Sequence, residues 1–94
     1  MDTSDVMRPV TLFTQDGCPD SARVRNCFRR SAVPFVERNV TGDLDAARDL
    51  LATGTFATPV IQAGAQVIVG ARLDRLAETL GFQCRCPGVE RRRL

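Results

Sequence analysis

Histidine, tryptophan, tyrosine and lysine are all absent from this 94-residue chain. Without histidine there is no imidazole general base, no Cys–His nucleophile pair and no His-ligated metal site. Without tryptophan or tyrosine, a stacking platform for single-stranded nucleic acid would rest on five phenylalanines, most of which the core needs. All thirteen basic residues are arginines, so any anion site must be built from planar guanidinium forks. The net charge of +2 is too small to suggest a nucleic-acid footprint. Long apolar runs are missing too, and no segment approaches the length that crosses a bilayer. Neither nucleic acid nor membrane is an expected partner.

What is present fits one globular domain, since a chain this short cannot divide into two parts that each bury an adequate core. The opening "MDTSDVMRPV" is acidic where a secretion signal is basic, and no apolar stretch follows it. A cytoplasmic protein is therefore expected, and with it free thiols in place of a disulfide framework, despite four cysteines.

The apolar pattern divides the chain into seven elements. "PVTLFT" (9–14) alternates as a strand, "QDG" is a turn, and Val24, Cys27 and Phe28 then mark one face of a helix from Pro19 to about Ser31. Proline suits the first turn of that helix, where a missing N–H costs nothing. "VPFVERNV" (33–40) reads as a second strand and "TGDLDAARDLLATG" (41–54) as a helix with Asp43 and Asp45 at its positive end. Two short β-rich runs, 60–62 and 66–69, flank "AGA" as a hairpin. A last helix runs over 73–80 and closes at Gly81. The order is β-α-β-α-β-β-α, an α/β fold. Its first β-α-β unit is parallel, its closing hairpin antiparallel, and helices lie on both faces of a mixed four-stranded sheet. The expected domain is 1–83. Periodicity is lost after Gln83, so 84–94 is read as a flexible tail, and its three neighbouring arginines as solvated.

This arrangement puts Cys18 after the first strand and at the start of the first helix. Unpaired helical N–H groups there stabilise an anion, and a thiolate is one. Ser21, three residues on, can point its hydroxyl at the sulfur, while Arg23 and Arg25 add a positive field that solvent screens. Free cysteines are often inert packed residues. The turn, Pro19 and the helix start argue instead for an exposed sulfur. Cys27, nine residues further and about 900° around the helix, faces away and reads as core. Cys84 and Cys86 form a C-x-C pair that could reach back as a resolving thiol, pair with each other or hold a soft metal. Two thiolates alone make a poor closed zinc site, and no metal is expected.

In order and spacing, the cysteine after strand one, the "ATPV" of 57–60 and "GARLDRL" of 70–76 resemble the glutaredoxin branch of the thioredoxin fold. Within it they resemble the NrdH-type redoxins, which deliver electrons to ribonucleotide reductase. The resemblance spans Val10 to Gly81. It implies that Cys18 is the nucleophile and that Thr58–Pro59 is a cis bond presenting the Thr58 backbone to substrate. It also implies that Gly70 lets a substrate backbone approach. Pro19, Gln15 and Arg72 occupy further substrate-binding positions of the pattern. Three departures stand out. Ser21 replaces the resolving cysteine of the dithiol members, Gln15 replaces the lysine that holds a glutathione carboxylate, and Gly70-Ala71-Arg72 replaces a Gly-Gly-Cys-Asp grip.

The activity expected is monothiol exchange on mixed disulfides between proteins and a low-molecular-weight thiol, through Cys18 assisted by Ser21. Glutathione or an analogue such as mycothiol would be the cosubstrate, with no tightly bound cofactor. Thiol or disulfide proteins would be the partners, a ribonucleotide reductase or a thioredoxin reductase among them, and the protein itself a monomer. Two other readings are an iron–sulfur cluster module of the single-cysteine glutaredoxin type and a redoxin fold kept only for protein contacts. A further one, arsenate reduction, is weakened by Ala22 where an arginine is required.

Overall fold

A computed structural model of the chain describes residues 10–81. Strands β1 (Val10–Thr14), β2 (Phe35–Asn39), β3 (Val60–Ala63) and β4 (Gln66–Val69) alternate with helices α1 (Pro19–Arg30), α2 (Leu44–Leu51) and α3 (Leu73–Leu80) in the expected order. The sheet runs β2-β1-β3-β4, with β1 parallel to β2, antiparallel to β3, and β3 antiparallel to β4.

Alternation along β1 divides the core in two. Val10 and Leu12 face α1 and α3, where they meet Val24, Cys27, Phe28, Leu73 and Leu76. Phe13 points to the other face and packs with Leu50 of α2 and with Val60. Phe28 is fully buried and meets Phe35 edge-on, with ring centroids 5.4 Å apart, which ties α1 to β2. Truncating so large a buried ring leaves a cavity that the neighbours only partly fill. Phe28→Ala is therefore expected to lower unfolding free energy by about 3–5 kcal/mol, read as a drop in the urea midpoint.

Both ends of the second helix and of the second strand lie inside the expected bounds, at Leu44–Leu51 and Phe35–Asn39. The second helix starts at Leu44, not Thr41, because Asp43 is its N-cap: its carboxylate accepts from the Ala46 N–H at 3.0 Å. The second strand is confined to Phe35–Asn39, the five residues that pair with β1. Cys27 lies in the core as expected, 1% exposed, but is disulfide-bonded, whereas Cys18 is free. The expectation of free thiols fails at Cys27, because it rests on compartment and not on geometry. Cys84, Cys86 and the tail lie outside the described residues. Among those residues, no helix is long and apolar enough to cross a membrane.

Candidate active site

Cys18 is the N-cap residue of α1, with an extended backbone (φ −101°, ψ 105°) and Pro19 beginning the helix. A turn precedes it: the Cys18 N–H donates to the Gln15 carbonyl at 3.2 Å, and Gly17 takes the positive φ of 75° that this turn requires. The loop is tied to the end of β2. Asn39 donates to the Asp16 carboxylate at 2.7 Å, and the Asp16 N–H donates to the Thr41 hydroxyl at 2.9 Å. The sulfur is thus carried on a turn anchored at both sides.

Two hydroxyls face it. Thr58 Oγ1 lies 3.7 Å from Cys18 Sγ and 3.2 Å from Gln15 Oε1, so its single proton serves one or the other. The thiol lies 3.8 Å from the Thr58 carbonyl and is placed to donate to it. Thr58–Pro59 is cis, and Pro59 is buried. Ser21 is 1% exposed, and its Oγ has no hydrogen-bond partner. A buried hydroxyl without an acceptor is costly, and an anionic sulfur beside it would supply that acceptor. The Cys18 pKa is indeed held below the ordinary thiol range. The Ser21 hydroxyl is the largest cause, followed by the Ser21 backbone N–H. Partial desolvation opposes them, and the Thr58 hydroxyl and Asp20 N–H add smaller pulls downward. Strict geometry gives the hydroxyl no partner in the resting thiol, while its nearness to the sulfur favours the thiolate.

The arginines act otherwise than the sequence suggested. Neither Arg23 nor Arg25 contributes to the lowered pKa. Arg23 sits 3.9 Å from Asp20, and Arg25 is bound to Glu37 at 2.8 Å, so the field of each is met locally by a carboxylate. Glu37 Oε2 also accepts from the buried Thr14 hydroxyl at 2.7 Å. The Arg25–Glu37 pair is about a quarter exposed, worth at most about 1 kcal/mol, and so fixes orientation more than stability. Arg25, Asp16 and Asn39 join Gln15, Cys18 and Pro19 around a cleft of about 370 Å³. Sequence reading passed over Glu37 and Asn39. The signal was strand parity: once Phe35 faces Phe28, Glu37 and Asn39 must share its face.

Gly70 adopts a φ of +105°, its N–H donates to the Pro59 carbonyl at 2.9 Å, and a Cβ there would meet nothing within 4 Å. Its surroundings are open enough for another backbone to approach. Arg72 is two-thirds exposed and lines a separate groove between β4 and α3. Among the described residues, no group of three or more His, Cys, Asp or Glu side chains could hold a metal ion.

The glutaredoxin family model matches residues 10–68, well over half of the chain. The chain belongs to the glutaredoxin family. Solved structures share the fold. A mutant of the thioredoxin-like protein BC3987 superposes with a TM-score of 0.75 at 23% identity, over 79% of this chain and 96% of that one. The NrdH-redoxin of Escherichia coli gives 0.66 at 26% identity, over 74% and 92%. A glutaredoxin from Archaeoglobus fulgidus gives 0.64 at 20% identity, over 83% and 92%. No functionally curated protein matches the sequence significantly. Members of the glutaredoxin family generally act as thiol–disulfide oxidoreductases, with glutathione or a similar thiol as cosubstrate.

Proposed function

We propose that this glutaredoxin is a monothiol oxidoreductase that removes low-molecular-weight thiols from protein mixed disulfides. The Cys18 thiolate attacks the small-thiol sulfur of the mixed disulfide. A new S–S bond forms at Cys18, the old one breaks, and the protein leaves as a thiolate. A second small thiolate then attacks the adduct on its small-thiol sulfur, freeing Cys18 and departing as the small-molecule disulfide. In sum the mixed disulfide and one small thiolate become a protein thiolate and the small-molecule disulfide, Cys18 is regenerated, and no second cysteine is used.

One observation carries this reading. The buried Ser21 hydroxyl has no partner until the neighbouring sulfur becomes an anion. Ser21 is thereby the stabiliser of Cys18 as nucleophile and as leaving group. The Thr58 hydroxyl assists, switching from Gln15 to the sulfur. The Thr58 backbone, held by the cis bond to Pro59, together with Gly70, forms the ledge against which substrate pairs. Pro19 and Gln15 line the entrance, whereas Arg72 lies in the separate groove between β4 and α3 and takes no part in the exchange. Proteins carrying mixed disulfides are the partners this chemistry serves. A ribonucleotide reductase or a thioredoxin reductase would join them only where another thiol replaces the missing resolving cysteine.

The test is mass spectrometry of reduced protein after brief exposure to glutathione disulfide near neutral pH. A fast, dithiothreitol-reversible adduct confined to Cys18 is expected. Reaction at the rate of an unstructured cysteine peptide would overturn the proposal. The pH dependence gives a second check. Because the thiol is drawn downward, its alkylation by iodoacetamide should reach its plateau at lower pH than that of the peptide. The same direction sets the stability linkage. The folded state gains from thiolate formation as pH rises above the folded pKa, and the gain is complete above the unfolded one. It is lost as pH falls through the folded pKa.

A further inference from the structure

The edge of the sheet furthest from β2 carries features that the Cys18 chemistry does not use. Among the described residues, β4 pairs only with β3. The hairpin register sets which of its main-chain groups are free. Gly70 N–H bonds to the Pro59 carbonyl, and hydrogen-bonded pairs alternate along an antiparallel ladder. Ile68 opposite Ile61 and Gln66 opposite Ala63 are then the bonded pairs. The N–H and C=O groups of Val67 and Val69 therefore point away from the sheet, along the open edge. Both valines are exposed, at 38% and 49%.

Side-chain parity separates the two faces of this edge. Ile68 packs on the core beneath α1 and α3, so Val67 and Val69 lie on the opposite face. On the α3 side, Arg72, Arg75 and Thr79 follow at helical spacing and form a stripe that borders the edge. Together with Gln66–Val69 they line a groove of about 680 Å³. Among the described residues its charge is largely unanswered. Arg72 has only Asp74, at 3.9 Å, and Arg75 has no ion pair among the described residues.

We propose that the β4 edge is a docking site for an acidic, extended segment of a partner protein, added as a fifth strand. The outward groups of Val67 and Val69 would supply its main-chain bonds. Residues alternating toward α3 would be acidic and would meet Arg72 and Arg75. Those two guanidiniums stem from positions about 4.5 Å apart along the helix, within reach of carboxylates about 7 Å apart on alternate strand residues. Residues facing the other way would be apolar and β-branched, against Val67 and Val69. The chain's C-terminal end is a poor occupant, because "ERRRL" brings three more arginines to an already positive groove. A second copy paired edge to edge would bring like charges together.

The experiment uses the full chain and two fluorescent peptides of identical composition. One has glutamates and valines at alternate positions, and the other has its glutamates adjacent, so that they fall on both faces. Anisotropy at low salt should show the alternating peptide binding at least about tenfold more tightly, a preference that Arg72→Gln/Arg75→Gln removes. Val67→Pro deletes an outward N–H but no bond to β3, so it should abolish binding while leaving the circular dichroism unchanged. Amide exchange at Val67 and Val69 should be fast before peptide and protected after it. Equal binding of both peptides, no binding, or affinity untouched by the arginine changes would overturn the proposal. So would protection of those amides before peptide is added, which would assign the edge to the chain itself or to a second copy. Should Val67→Pro fail to fold, the paired arginine variant and the peptide register decide the matter.

Discussion

Replacing Cys18 with serine is expected to reduce deglutathionylation of a mixed-disulfide substrate to the uncatalysed background, with folding intact. The reason is chemical, not steric. A serine hydroxyl is nearly the size of a thiol but stays protonated at neutral pH, and only an anion attacks a disulfide sulfur at a useful rate. The position tolerates the change structurally, because Cys18 is half-buried, makes no side-chain cap bond, and leaves helix initiation to Pro19 and the backbone. A coupled assay with a glutathionylated peptide measures the effect, and urea unfolding checks stability. Turnover within tenfold of the native protein would remove Cys18 from the mechanism and with it the monothiol cycle.

Changing Ser21 should give two opposite results. Ser21→Ala deletes the largest influence that favours the Cys18 thiolate, so the thiol pKa should rise and the reactive fraction at pH 7 should fall. A more basic thiolate is a better nucleophile, which offsets part of that loss, so the net decrease should be roughly three- to fivefold. Above the raised pKa the variant should match or exceed the native rate, a crossover that a merely destabilised protein would not show. Ser21→Cys should instead add an activity. A second thiol one helical turn from Cys18 can attack the adduct intramolecularly, so the variant should reduce a protein disulfide such as insulin's, which the native protein should do poorly. The slightly larger sulfur at a site only 1% exposed costs some packing, about 1–3 kcal/mol if the core does not yield. If native protein and Ser21→Cys reduce insulin equally well, then another thiol already resolves Cys18.

Much of the site was legible because its parts are local. The strand, turn, cysteine, proline and helix occur within a few consecutive residues, and each step has its own stereochemical signature. Thr58–Pro59 and Gly70 are also short motifs, but only the family resemblance gives them a place beside Cys18. Less accessible were contacts between residues far apart in the chain. The Thr58 hydroxyl shared between Gln15 and Cys18 joins residues more than forty positions apart. Glu37 receives Thr14 and Arg25 at one oxygen, which quenches an arginine that the sequence had counted as part of the field around the sulfur.

By itself the sequence determined the element order, the two-sided core and the serine three residues after Cys18, because periodicity and residue identity do not depend on distant neighbours. It also placed Cys18 at a helix start, where an anion is favoured. The tertiary structure alone decided that the Ser21 hydroxyl is buried without a partner, that Arg25 is neutralised, and that Arg72 turns to the β4 groove. It likewise decided that the main-chain groups of Val67 and Val69 point away from β3. Those are properties of burial and register, and they arise only when strands and helices distant in the chain come to lie side by side.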